Sequence, residues 1–109
     1  MDLLSRTEEI VLLTVLKLGE GAYGVAIRER ILKDTGRKWS FASIYTPLDK
    51  LARKELVIRY YGEPTPERGG KRKRYYRITP YGKEAIKAIL HFHEEVWSGI
   101  PELLSGGEQ

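Results

Sequence analysis

Apolar positions along the chain fall into four stretches with helical spacing and two short β-type runs. In the first stretch Ile10, Val11, Leu12, Leu13, Val15, Leu16 and Leu18 are apolar nearly all round, which marks a helix buried inside a fold or between subunits. Ser5, three residues ahead of Glu8, fits a capping box; the helix it starts is expected over Thr7 to about Leu18, with Gly19 and Gly21 as stops. A second helix is expected from Tyr23 or Gly24 to Asp34. Val25, Ile27, Ile31 and Leu32 point inward on that reading, Arg28, Glu29, Arg30 and Lys33 mostly outward, and Gly36 ends it.

The third helix opens at Ser40, a residue suited to an N-cap, and runs towards Lys54. Ile44, Leu48 and Leu51 recur at i, i+4 and i+7, and Leu56 extends that side, so one face is buried. The opposite face carries Ala42, Ser43, Thr46, Asp49, Lys50 and Arg53, small and hydrogen-bonding first, charged later. It suits close approach to a groove with flanking phosphate contacts, although an ordinary solvated face has the same look. Pro47 conflicts locally: it removes one backbone donor and disfavours helical geometry at Thr46. A kink or tight first turn is expected, or else a helix that restarts with Thr46 as cap.

Val57-Ile58-Arg59-Tyr60-Tyr61 and Arg74-Tyr75-Tyr76-Arg77-Ile78 are rich in β-branched and aromatic residues and read as two strands. In the second, Tyr76 and Ile78 share the core side, and Lys73, Tyr75 and Arg77 the other. The stretch between them, Gly62 to Gly70, is a turn-rich loop leading to Lys71-Arg72-Lys73. Thr79-Pro80 then opens a last helix running to about Trp97 or Ser98, stopped by Gly99 and Pro101. Its apolar residues exceed one stripe. Ile86, Ile89 and Val96 form a seam with His93, Leu90 and Trp97 lie beside it, and Ala85, Ala88 and Phe92 make another side. One side can pack on the domain and the other on a second copy.

A helix leading into a hairpin with a basic tip is the layout of a winged helix-turn-helix. The expected fold is therefore α+β, mainly α: a winged helix-turn-helix over 1–78, a C-terminal dimerisation helix over 79–98 and a tail over 99–109. Composition sharpens this. The 109 residues make one domain, with 41% hydrophobic and 31% charged residues, no cysteine and a net charge of +4. Arg68, Lys71, Arg72, Lys73, Arg74 and Arg77 are packed into one short stretch, which leaves the remainder close to neutral. Such a concentration points to a local polyanion contact. The absence of cysteine, of a signal peptide and of any apolar run long enough for a membrane leads to the expectation of a cytoplasmic protein without a membrane partner.

Enzyme chemistry finds no support. Gly19-Glu20-Gly21-Ala22-Tyr23-Gly24 spells G-x-G-x-x-G, but it follows a helix rather than a strand, and the downstream motifs of a kinase are missing, so it reads as a helix stop followed by a helix start. His91 and His93 are two apart on a helix and point differently, which argues against a metal pair. No catalytic residue, metal or cofactor is expected. The competing readings are a single-strand or RNA-binding module stacking bases on Tyr60, Tyr61 and Tyr75, an RGG-like or nuclear-localisation run, and a protein-interaction domain.

The chain resembles the PadR family of bacterial and archaeal transcriptional regulators, in its short form with one C-terminal helix. The resemblance rests on Leu16-Lys17-Leu18-Gly19, on Tyr23-Gly24, on Ile44-Tyr45-Thr46-Pro47-Leu48-Asp49-Lys50-Leu51 (the family's L-Y-x-x-L-x-x-L) and on Gly69-Gly70-Lys71-Arg72-Lys73-Arg74-Tyr75-Tyr76-Arg77-Ile78-Thr79-Pro80-Tyr81-Gly82 (its G-G-x-R-(R/K)-x-Y-Y-x-L-T-x-x-G). It departs from the family in carrying Glu55 where many relatives have Gly after the recognition helix, and Pro47 one residue later than usual. The resemblance implies a homodimer joined through the first and last helices, binding double-stranded DNA at a palindromic operator and usually repressing. On this basis the DNA-binding candidates are Tyr23, Lys38, Ser40, Ala42, Ser43, Tyr45, Thr46, Lys50, Arg68, Lys71, Arg72 and Lys73. The dimer candidates are Leu3, Leu4, Ile10, Leu13, Ile86, Ile89, Leu90, His93, Val96 and Trp97. Family ligands include phenolic acids and hydrophobic drugs, and some short members bind planar aromatics between subunits. Phe92 and Trp97 are accordingly the candidates to line a pocket for a small aromatic ligand, with plain interface packing as the competing reading.

Overall fold

A computed structural model describes residues 4–64 and 72–106. Three expected site residues, Leu3, Arg68 and Lys71, lie outside the described residues, as does the Gly69-Gly70 pair. Helix α1 spans Arg6–Leu18, α2 Gly24–Thr35 and α3 Phe41–Arg53; strands β1, Val57–Pro64, and β2, Arg72–Ile78, follow; α4 spans Pro80–Trp97 and α5 Ile100–Leu104.

Local caps set most of these boundaries. Ser5 Oγ accepts from the Glu8 amide at 3.1 Å while Glu8 Oε1 accepts from the Ser5 amide at 2.9 Å, a complete capping box for α1. A short 3₁₀ turn, Gly19–Gly21, joins α1 to α2, so the glycine triplet does separate two helices. Gly36, at φ +74°, ends α2. On α2 only half of the expected inward face is buried. Ile27 and Ile31 share one face in the core, whereas Val25 and Leu32 are about 40% exposed. They lie off the Ile27–Ile31 line, on sides that neither α1 nor α3 covers.

Ser40 Oγ caps α3 by accepting from the Ser43 amide at 3.1 Å. The helix then runs unbroken through Pro47, which is itself buried. The alternative, a restart at Thr46, does not form; the missing hydrogen bond falls at the Ser43 carbonyl, and burial of Ile44, Pro47, Leu48 and Leu51 holds the helix together. After α3 the chain reverses through Glu55 at φ +63°.

β1 and β2 pair antiparallel from Val57–Ile78 to Tyr61–Arg74, with an irregularity between Tyr61 and Pro64. The wing is tied to the helices along its second strand: the Tyr76 amide donates to the Ala22 carbonyl at 2.8 Å, and Tyr23 bridges Tyr75. Tyr76 is fully buried among Val11, Leu12, Val15, Ile27, Ile31, Ile44, Leu48 and Leu51, as the β2 alternation implied. Thr79 caps α4, accepting from the Gly82 amide at 2.9 Å and donating to the Glu55 carbonyl at 2.8 Å. A Cβ on Gly82 would overlap the Leu56 carbonyl, so the start of α4 lies directly on the turn between α3 and β1.

Farther along, α4 leaves the body. Ala85 and Ile86 pack on the core, but every residue from Leu90 to Gly99 is exposed. Pro101 does not act as a stop: it occupies the first turn of α5, where its missing donor costs nothing. The molecule measures 63 × 29 × 20 Å.

Candidate nucleic-acid interface

Two chains of cations and aromatic rings connect α3, the start of α2 and the wing. In one, the Arg28 guanidinium lies 4.5 Å over the Phe41 ring, Phe41 stacks on Tyr45 at 6.2 Å, and the Arg74 guanidinium covers Tyr45 at 5.4 Å. In the other, the Lys73 ammonium lies 4.3 Å over Tyr23; Tyr23 meets Tyr75 edge-on at 5.6 Å; Tyr75 stacks on Tyr60 at 5.5 Å; and Arg77 covers Tyr60 at 5.0 Å. Each such cation–ring pair contributes about 0.5–1 kcal/mol at an exposed site. The larger consequence is geometric, because the wing cations are held at fixed positions beside α3.

Three clefts lie among these elements. Ala42, Ser43, Thr46 and Lys50 line one of about 400 Å³ with Ser5, Thr7 and Glu8 at the start of α1. Tyr23, Tyr45, Arg72, Lys73 and Arg74 line another of about 300 Å³. A third, about 660 Å³, separates the end of α3 from β1 and contains Asp49, Arg53, Arg59 and Arg74. Ser40 Oγ lies 3.0 Å from Ser43 Oγ at the start of α3, and Lys38 is exposed in the connection before it. Asp49, the acid on the outer face, is paired with Arg59 at 3.0 Å, so it does not repel a polyanion unopposed. Gly24 is needed because a Cβ there would overlap the Tyr45 hydroxyl.

Sequence reasoning missed Arg74. It belongs to two of the clefts and bridges wing to helix. The basic run pointed to it, but its place over Tyr45 depends on the wing folding across α3, a contact made only in three dimensions.

A family model described as the transcriptional regulator PadR-like family matches residues 12–88. The chain belongs to the PadR-like family of transcriptional regulators. As a PadR-like protein it is a DNA-binding transcription regulator on a winged-helix scaffold. It is 30% identical over 99 residues to an uncharacterised protein of Lysinibacillus sphaericus, covering 89% of this chain and 83% of that protein. A transcriptional regulator from Clostridium thermocellum is similar in structure (TM-score 0.71, 27% identity, covering 87% of this chain and 89% of that one). A PadR-like transcriptional regulator from Bacillus cereus shares the fold at TM-score 0.74 and 24% identity, covering 93% and 92% of the two chains.

In this PadR-like chain the expected dimer residues separate into two groups. Leu4, Ile10 and Ile86 are half-buried against the core, and Leu13 and Ile89 are half-buried beside it. Leu90, Val96 and Trp97 are exposed, as is His93, whose ring stacks on Trp97 at 5.2 Å. Phe92 and Trp97 are both exposed and line none of these three clefts. Among the described residues no group of three or more His, Cys, Asp or Glu is placed to hold a metal ion, and no helix is long and apolar enough to cross a membrane.

Proposed function

We propose that this PadR-like regulator acts as a homodimeric repressor on a palindromic double-stranded operator. The observation that carries the reading is one cleft in which Arg72, Lys73 and Arg74 of the wing meet Tyr45 of α3 and Tyr23 at the start of α2. Helix and wing form one surface, with hydrogen-bonding side chains where base edges would lie and cations where phosphates would lie. Two copies joined through α1 and α4 would present two α3 helices about 34 Å apart, one turn of duplex. A flat aromatic ligand would act between the copies, where the exposed rings of Phe92 and Trp97 face outward from each chain. Single-strand binding is the weaker reading, because Tyr60 and Tyr75 are already stacked on one another.

The test is a gel-shift titration across salt with Arg72→Ala/Lys73→Ala. For every phosphate that the variant no longer neutralises, the log–log salt slope should flatten by about 0.9, and affinity should fall for every duplex alike. Duplex should compete for the protein better than single strands of the same sequence. An unchanged slope would remove the wing from the interface, and preference for single strands would overturn the operator reading.

A further inference from the structure

We propose, on the duplex-binding part of the reading above, that Asp49 is a positioning residue: it holds Arg59 beside Arg74 as a clamp for one phosphodiester of the DNA backbone. Asp49 sits where an acid is least expected. With Ala42, Thr46 and Arg53 it forms a line of exposed residues three or four apart along α3. A free carboxylate there would repel a polyanion.

Its charge is committed elsewhere. Asp49 Oδ1 accepts from Arg59 Nη2 at 3.0 Å, and no other side chain among the described residues accepts from Arg59. Arg59 stands opposite Tyr76 in the hairpin, its guanidinium 6.0 Å from the centre of that fully buried ring. Arg74, two residues before Tyr76 in β2, shares this face of the hairpin and is pinned over Tyr45 at 5.4 Å. Both arginines therefore line the cleft between α3 and β1, with Arg53 on its helical wall. Like charges brought into one cleft repel. The Asp49 carboxylate offsets that repulsion and fixes the direction in which Arg59 points.

Donors remain for a ligand. A guanidinium presents several N–H groups in a rigid fork, and the bond to Asp49 leaves most of those on Arg59 open. Neither Arg53 nor Arg74 is paired with a carboxylate among the described residues. Arg53, Arg59 and Arg74 outnumber Asp49 and Glu55 in the cleft, so it stays positive with Asp49 in place. Position agrees with charge. With α3 in the major groove and the wing over the neighbouring backbone, the strand bordering that groove passes between them, and arginine forks match the paired oxygens of a phosphate.

A phosphate clamp positions the duplex without reading its sequence, so any mixed-sequence duplex serves as the probe, titrated by fluorescence anisotropy across salt. Arg59→Ala should flatten the log–log salt slope by about 0.9. Asp49→Asn makes the surface more positive, which on charge alone would tighten binding. Loss of the orientation of Arg59 should instead weaken it about three- to tenfold, the worth of one hydrogen bond. In an Arg59→Ala background the same change should tighten binding, because only its charge is left to act. Asp49→Glu, which keeps the charge, should bind more tightly than Asp49→Asn. The Arg59 and Asp49 side chains are 37% and 52% exposed, and such a pair adds little stability, so every variant should unfold at the parent's urea midpoint. A midpoint that fell in step with affinity would make the pair structural and overturn the proposal. So would unchanged or tighter binding by Asp49→Asn in the parent, or equal weakening in both backgrounds. If Arg72→Ala/Lys73→Ala flattens the slope and Arg59→Ala does not, the clamp falls while the wing contact stands. No duplex binding by the parent, even in dilute salt, removes both.

Discussion

Glu55 holds a left-handed backbone, φ +63°, at the end of α3. A Cβ in that region costs about 1–2 kcal/mol, yet the turn around it is complete. The Leu56 amide donates to the Leu51 carbonyl at 2.9 Å and the Glu55 amide to the Ala52 carbonyl at 3.0 Å, the two bonds of a Schellman motif. The Glu55 carbonyl in turn receives the Thr79 hydroxyl, which places α4. The glutamate that departs from the family pattern therefore keeps the turn at the expense of strain. Glu55→Gly should stabilise the fold by about 0.5–1 kcal/mol, the relieved strain less the greater entropy a glycine loses. Glu55→Ala should be near neutral, since alanine has the same Cβ. Urea unfolding decides: a glycine variant no more stable than the parent would show that no strain is stored there.

Caps and single faces were legible in the sequence because they are local. Ser5 with Glu8, Ser40, and Thr79 with Pro80 each satisfy donors within one turn of themselves. What escaped depends on neighbours. Val25 and Leu32 are as apolar as Ile27, but only the packing of α1 and α3 decides which side of α2 is covered; Pro101, read as a stop, serves equally well as the first turn of α5. The clearest non-local element is the α3–wing joint, where Tyr45 lies between Phe41 and Arg74 with its hydroxyl against Gly24. Gly24→Ala should cost about 1–3 kcal/mol, as overpacking does. In a Tyr45→Leu background, which removes the obstructing ring, the same change should cost much less, a coupling of about 1 kcal/mol or more. Equal destabilisation in both backgrounds would mean that Gly24 matters for some reason other than Tyr45.

The whole molecule divides into a head stitched by ion pairs and an arm with none to the head among the described residues. Besides the Asp49–Arg59 pair between α3 and β1, two carboxylates tie the helices together. Glu8 on α1 meets Lys54 beyond α3 at 3.3 Å, and Asp34 on α2 meets Lys17 on α1 at 2.9 Å and Arg30 at 3.3 Å. Burial by itself would raise the Glu8 pKa, but the Ser5 amide and the Lys54 ammonium outweigh it and hold the carboxyl below its ordinary 4.5. The Lys17 hydrogen bond, with Arg30 behind it, holds Asp34 below its ordinary 3.8. With both values depressed, the unfolded chain binds more protons than the folded one as acid is added. The stabilisation is thus complete above about pH 5 and is lost as pH falls through and below the ordinary carboxylate values. Asp34 is open to solvent and its pair is screened by salt, so Glu8, nearly buried, should contribute more of the acid response. Glu8→Gln keeps an acceptor for the Ser5 amide but loses the charge facing Lys54. It should be less stable than the parent at neutral pH and lose less on acidification, bringing the two urea midpoints together near about pH 3. Parallel midpoint curves across that range would mean that the Glu8 charge does not hold α1 to the end of α3.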